Sequence, residues 1–336
     1  MHLGCEADLL LGKRLQQPSP VAVAILIFII IIHILTFPFT AVLNALVMIA
    51  VKTKSQLRAH KSNILLALLA STDFTVGVFI QPSFVAVLVL FLLDKPSGYC
   101  LMRVVRFVMA SQMQASLFHL VLISGERYLA MKHPFAYVTI VNDCRLLVAS
   151  ALAWLLPVIL HIPLAVDKTL LTPINNTLAG LSVASITFII SCHITVYCET
   201  RRHEQKIAAQ QVTREAREQF QKDKKALKLT TIILAVVMLC FVPAVIFVSV
   251  ALRFRNKLSL ETVYIFSSLG MSVMLLNALF NPIIYSVRIR RFRVAFIELT
   301  CRTLNSSEAE EIEMRVFGAP KGVVRLEGGQ QHGSLD

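Results

Sequence analysis

Charge is what this chain has least of. Aspartate, glutamate, lysine and arginine together fill 16% of its 336 positions, where a soluble domain carries about a quarter. The stretch 104–123 holds no acid and, beside His119, one base, Arg106. There is no acidic or basic low-complexity tract and no internal repeat. Transporters commonly show paired repeats with broken helices in both halves; this chain has no such symmetry. Its seven cysteines are scattered without metal-ligand spacing. No nucleophile, base and metal ligand gather at one depth, which argues against an enzyme.

What is present is apolar. Hydrophobic residues make up 56% of the chain and its mean hydropathy is +0.69. They fall in seven runs, residues 21–51, 62–93, 100–131, 146–166, 177–197, 229–252 and 260–287. Each is long enough to cross a bilayer, which takes about 20 helical residues. The net charge of +13 sits largely in short segments between runs, so it marks a membrane face and not a nucleic-acid partner. Lys52, Lys54, Arg58 and Lys61 follow the first run, against Lys13 and Arg14 before it. That asymmetry predicts a multi-pass chain with its N-terminus outside and its C-terminus in the cytoplasm. Residues 9–11 are too short for a signal-peptide core, so the first run is expected to act as its own insertion signal.

Residues 199–228 read as a polar helical extension between the fifth and sixth runs, and as the most basic region. After the seventh, Ile289, Phe292, Phe296 and Leu299 fall at helical spacing among Arg288, Arg290, Arg291 and Arg293. That is a basic amphipathic helix lying on the inner membrane face. The expected organisation is all-α: an extracellular segment 1–20, a seven-transmembrane helix bundle 21–287, the surface helix 288–301 and a disordered cytoplasmic tail 302–336.

Polar groups inside spans are costly and therefore informative. Glu126, Arg127 and Tyr128 close the third run. An adjacent acid and base there either lie at the water boundary, with Arg127 snorkelling, or pair with something. Asp73 is a lone acid in the second run, where Pro82 further along predicts a kink. Pro243 and Pro282 interrupt the sixth and seventh and supply hinge points. Arg103, Arg106, Met109, Ala110 and Met113 share one broad helical face. Arg106 turned inward would hold a carboxylate or phosphate above an apolar cavity; turned outward, it would snorkel to headgroups. Gln81, Gln112 and Glu261 are further pocket candidates. His119, Cys192, His193 and Cys198 stand singly on apolar helices, where packing or a hydrogen bond is expected and not a metal.

Over residues 41–301 this ordered set resembles the rhodopsin-like (class A) family of G-protein-coupled receptors. Asn44 matches the family asparagine of span one, and Leu69-Ala70-Ser71-Thr72-Asp73 the span-two Leu-Ala-x-x-Asp pattern. Glu126-Arg127-Tyr128 matches the acidic-Arg-Tyr motif, Trp154 the span-four tryptophan and Tyr197 the span-five tyrosine. Asn277 and Asn281-Pro282-Ile283-Ile284-Tyr285 match the span-seven Asn-Pro-x-x-Tyr region.

The resemblance implies that Glu126 holds Arg127 in a resting receptor. An outward swing of span six would free the arginine to meet a heterotrimeric G protein, and Tyr197 and Tyr285 would help hold the open form. It implies a sodium site from Asp73, Ser116, Asn277 and Asn281, whose oxygens suit a hard cation; a neutral Asp73 hydrogen-bonded among helices is the alternative. No other cofactor is expected. Leu275 stands where a light receptor needs lysine and Met109 where amine receptors place aspartate, which disfavours retinal and simple amines. The ligand pocket is then expected around Arg106, Met109, Met113, Phe241 and Gln81, for a lipophilic or anionic ligand.

Two departures stand out. Cys240-Phe241-Val242-Pro243 carries phenylalanine where the family has tryptophan, so an indole N–H is lost. The outer loop 167–176 lacks the cysteine that the family usually joins to the top of span three, leaving either a Cys5–Cys100 pair or a free Cys100. That gap and the proline-free span five are similar to the melanocortin, lysophospholipid, cannabinoid and adenosine receptor cluster. Cys301 is a candidate for acylation, and Asn175, in Asn175-Asn176-Thr177, for glycosylation. The function expected is a plasma-membrane receptor that drives nucleotide exchange on a G protein, with an extracellular ligand and membrane lipid as its other partners. A transporter or channel using Asp73 as its ion site is the alternative.

Overall fold

The computed structural model describes residues 18–95, 97–166, 171–209, 257–301 and 306–317, with 231–232, 235–236, 239–240, 242–243, 246–247 and 250 between them. Its regular elements are all helical among the described residues. Helix α1 (Pro20–Thr53) opens with proline in its first turn and with Ser19 Oγ accepting from Ala22 N–H at 3.2 Å. Ser19 also gives its backbone N–H (2.9 Å) and its hydroxyl to the Glu261 carboxylate. This clasps the start of α1 to the far end of the chain.

A short α2 (Ser55–Arg58) leads to α3 (Lys61–Thr75), which passes through a π-helical turn, Val76–Ile80, into α4 (Gln81–Leu92). Pro82 accounts for the turn: it has no N–H, and its ring collides with the carbonyl four residues back in a regular α-helix. Widening the preceding turn accommodates both. Gly77 at that turn lies so close to α1 that an added Cβ would meet Ala41 N at 2.6 Å.

Helix α5 (Ser97–Lys132) forms the centre, packed against α3, α4, α7 (Asp143–Val166) and α8 (Leu171–Ala209). A short α6 (Pro134–Ile140) links α5 to α7. Helix α9 (Leu260–Arg288) packs against α1, and α10 (Arg290–Thr300) follows at an angle set by the extended backbone of Ile289. Helix α11 (Ser306–Phe317) closes the described chain.

Six helices among the described residues are long and apolar enough to cross a membrane. The sixth run of the sequence, 229–252, lies largely outside the described residues, and those described in it are helical. Large apolar side chains such as Phe28, Leu35, Phe39, Leu155 and Ile194 face outward, as a lipid solvent permits. The interior holds two apolar clusters. One gathers Leu26, Ile29, Phe84, Met109 and Leu275 toward the Ser19 end; the other gathers Val47, Leu65, Leu120, Tyr285 and Phe292 toward the Arg127 end. Asp73, Asn44 and Asn281, all buried, lie between them.

Two expectations need correction. The outer loop 167–176 is shorter than expected, because α8 begins at Leu171; Pro173 sits in its first turn, where a helix tolerates proline. Helix α8 runs past Tyr197 to Ala209, in line with a polar extension, and residues 210–228 lie outside the described residues. The tail expected to be disordered contains α11. Its Ala309 and Glu313 are buried against α10, and the acid that composition reads as solvated is paired instead with two arginines.

Candidate functional site

At the Arg127 end, three elements converge on one carboxylate. The Glu126 side chain is 2% exposed. Ser62 Oγ, from the first turn of α3, donates to its two oxygens at 2.9 and 3.0 Å, and Tyr137 OH, from α6, donates at 2.9 Å. Arg127 Nε lies 3.2 Å from Glu126 Oε2. This is a charge contact whose N–H is not aimed for a hydrogen bond. Of the two sequence alternatives for Arg127, the structure shows the paired one. Tyr128 packs against the His133 ring with centroids 5.8 Å apart.

Tyr197 is exposed and receives Arg201 Nε at 3.1 Å, whereas Tyr285 is fully buried, packs 6.2 Å from Phe292, and its hydroxyl has no hydrogen-bond partner among the described residues. The two tyrosines do not bond to each other.

The polar layer is built around a proline defect. Pro282 lacks the N–H that would bond Ala278 O, and Asn44 Nδ2 fills the gap at 3.0 Å while also bonding Thr40 O at 2.9 Å. Asn281 Nδ2 donates to Asp73 Oδ2 at 2.7 Å. Asn44 Oδ1, Asn277 Oδ1 and Asn281 Oδ1 are buried and, among the described residues, without a hydrogen-bond partner. Ser116 is half-buried, and neither it nor Asn277 bonds Asp73. The buried Asp73 carboxylate with the Asn281 amide against it is a donor set that fits a hard cation.

The expected ligand face fares less well. Gln81 is fully buried between helices, its Nε2 3.2 Å from His33 Nδ1 and 3.4 Å from Thr36 Oγ1. Gln112 donates to Thr72 O at 2.7 Å and accepts from Thr75 at 3.3 Å, and Glu261 belongs to the Ser19 clasp. These three join helices through hydrogen bonds. Met109 is buried in the apolar cluster, while Arg106 and Met113 are half-buried. Phe241 and Cys5, and the side chains of Cys100 and Asn175, lie outside the described residues. Cys301 is exposed. His119 joins α5 to α7 through Ser150 Oγ at 2.8 Å, a hydrogen-bonding role.

Sequence reasoning missed Ser62 and Tyr137, whose contacts with Glu126 exist only after folding. It also missed His33, although a histidine within an isoleucine-rich run was a signal of a buried polar partner.

A family model, the 7 transmembrane receptor (rhodopsin family), matches residues 43–285. The chain belongs to the rhodopsin family of seven-transmembrane receptors. As such a receptor it is non-enzymatic and a multi-pass protein of the plasma membrane. It is similar to cannabinoid receptor type 1B of Takifugu rubripes, 25% identical over 87% of this receptor and 69% of that one. It is also similar to cannabinoid receptor 2 of Mus musculus, 27% identical over 76% of each. Trace amine-associated receptor 4 of Rattus norvegicus is 25% identical over 80% of this receptor and 84% of its own length.

Proposed function

We propose that this receptor, with its N-terminus outside and its C-terminus in the cytoplasm, couples an extracellular lipophilic ligand to a heterotrimeric G protein. The observation that carries the reading is the Glu126 contact set. Arg127 is held by a carboxylate that Ser62 and Tyr137 brace from two other helices. A braced pair of that kind is a two-state element: moving α5 away from α3 and α6 costs its bonds, and a ligand that favours the moved state repays them. Freed, Arg127 offers a five-donor guanidinium at the cytoplasmic end, suited to carbonyl or carboxylate groups of a partner. Pro282, with Asn44 closing its gap, gives α9 a point of bending near the same end.

For the ligand, supporting facts are the apolar surroundings of Met109, Met271 and Leu275 and the absence of an acid at Met109, together with relatives named for cannabinoids. A sodium ion fits Asp73, Asn277 and Asn281 in the resting state. There it would supply a counter-charge to the buried carboxylate, while Asn281 orients that carboxylate through its Nδ2. Cys301, exposed at the end of α10, is the acylation site of this reading.

The deciding experiment measures nucleotide exchange on a panel of purified G proteins in membranes carrying the wild type or Arg127→Ala. Exchange that disappears in the variant supports coupling through Arg127. Exchange equal in both, with matched expression, overturns it.

A further inference from the structure

Glu313 lies between two guanidinium groups. Arg290 Nε donates to Oε2 at 2.7 Å, and Arg293 donates through Nε and Nη2 to Oε1 at 2.9 and 2.6 Å. The Glu313 side chain is 1% exposed. Arg293 does more than pair: Nη1 donates to Val287 O at 2.7 Å and Ser286 O at 3.3 Å, the last-turn carbonyls of α9, and its guanidinium lies 4.8 Å from the Phe317 ring. One arginine therefore fastens α11 to the end of the seventh span.

That place has its own chemistry. A basic residue where a span leaves the inner leaflet ordinarily meets lipid phosphate, and a guanidinium fork matches phosphate as well as it matches carboxylate. Here the chain's own acid takes the position. Next to it Arg290, Arg291 and Lys54 line a cleft of about 370 Å³ whose rim includes Glu310 of α11. Glu310 is 3.7 Å from Arg290, while Lys54 pairs with Glu298 at 2.6 Å and Arg291 bonds His60 at 2.9 Å. At the end of α11 the apolar side chains of Met314, Val316 and Phe317 are exposed, so a released α11 carries apolar groups that a membrane interface accepts.

We propose that α11 is a self-ligand: Glu313 occupies, on Arg290 and Arg293, the place of a phosphate group of an inner-leaflet phosphoinositide, and tail and lipid exclude one another. A tethered carboxylate competes at an effective concentration in the millimolar range. A singly charged phosphodiester therefore gains nothing over it. A headgroup with phosphomonoesters brings more charge and more acceptor oxygens, and reaches the Lys54–Arg291 cleft at the same time.

The test is hydrogen–deuterium exchange of amides 306–317 in the full-length receptor, in phosphatidylcholine nanodiscs with and without phosphatidylinositol 4,5-bisphosphate. The proposal expects protection in phosphatidylcholine and exchange at least about tenfold faster with the phosphoinositide, without that response to phosphatidylserine of equal total charge. Glu313→Gln should exchange fast in every bilayer and bind phosphoinositide vesicles several-fold more tightly. The charge-swapped pair Arg293→Glu with Glu313→Arg should recover protection and lose the lipid response. Soluble inositol trisphosphate separates the sources: weaker opening than by the bilayer lipid supports a membrane ligand, and stronger opening overturns it. Equal α11 exchange with and without phosphoinositide, an equal response to phosphatidylserine, or unchanged lipid binding by Glu313→Gln also overturns the proposal.

Discussion

Replacing Tyr137 by phenylalanine removes a single hydroxyl, and the structure says what it was doing: donating at 2.9 Å to the buried Glu126 carboxylate. A hydrogen bond to a charged group contributes about 1.5–3 kcal/mol, which corresponds to roughly 10- to 100-fold in an equilibrium constant. If the bond exists only in the resting arrangement, the whole of that factor appears in the resting-to-active ratio. A receptor resting at about 99:1 would then show roughly 10–50% of maximal exchange with no ligand. The assay is basal nucleotide exchange in membranes at matched receptor density, with the ligand-saturated maximum measured alongside. The maximum should be unchanged, which separates loss of the lock from damage to a partner-binding surface. Ser62→Ala, which removes the other brace, should act in the same direction. The double variant should fall short of the sum, because both donors serve one carboxylate. Basal exchange within twofold of wild type in Tyr137→Phe, with an unchanged thermal midpoint, would refute the argument that these bonds differ between states.

Gly77→Ala should lower the thermal midpoint in detergent by the equivalent of about 1–3 kcal/mol of overpacking, since the new Cβ meets backbone at 2.6 and 3.0 Å; an unchanged midpoint would mean α1 can simply move off. Sodium chloride, against choline chloride, should raise the wild-type midpoint and leave Asp73→Asn flat, as a calorimetric or dye-binding scan will read. Glu313 titrates below the ordinary carboxylate range: burial pushes its carboxyl up, and the bonds and charges of Arg290 and Arg293 outweigh that and bring it down. A depressed carboxyl stabilises docking above its unfolded value, 4.5, and loses that contribution as pH falls through the lower folded value. Intrinsic-rate-corrected protection of residues 306–317 should therefore hold down to about pH 5 and fall below it; loss already at pH 6 contradicts the pairing. Phe135 is 91% exposed beside Val138 at 78%, an apolar surface of the kind that marks protein contact. Phe135→Ala should cut ligand-driven exchange several-fold at an unchanged midpoint.

Most of the fold could be read from the chain because lipid imposes a simple rule. An apolar run of sufficient length must be a helix, and Glu126, Asp73 and Pro282 could be recognised as exceptions to apolarity. What could not be read depended on partners distant in sequence. The partners of Gln81, His33 and Thr36, come from α1 and could not be read from its own span. Nothing about Ser62 or Tyr137 predicts that both reach Glu126. The stretch 306–317 has a solvated composition, and becomes a docked helix only because Arg290 and Arg293 stand ready for Glu313. The structure joins Asp73 to Asn281, two positions that the resemblance grouped, whereas elsewhere tertiary packing chose the partner.

The π-helical turn at Val76–Ile80 also acts as an angular adjuster. A π-turn takes up one residue more than an α-turn, and each residue in a helix advances the side-chain direction by about 100°. Everything beyond Ile80 is thereby dialled round by one position relative to α3. Gln81 faces His33 and Phe84 enters the apolar core because of that offset. Deleting one residue between Val76 and Ile80 would leave the span nearly as long and equally apolar, yet would turn its outer half to a different set of neighbours. Length and hydropathy would not register the change. Alignment of this span with a relative that lacks the turn therefore needs a one-residue gap at this point, with the facing residues compared only after it.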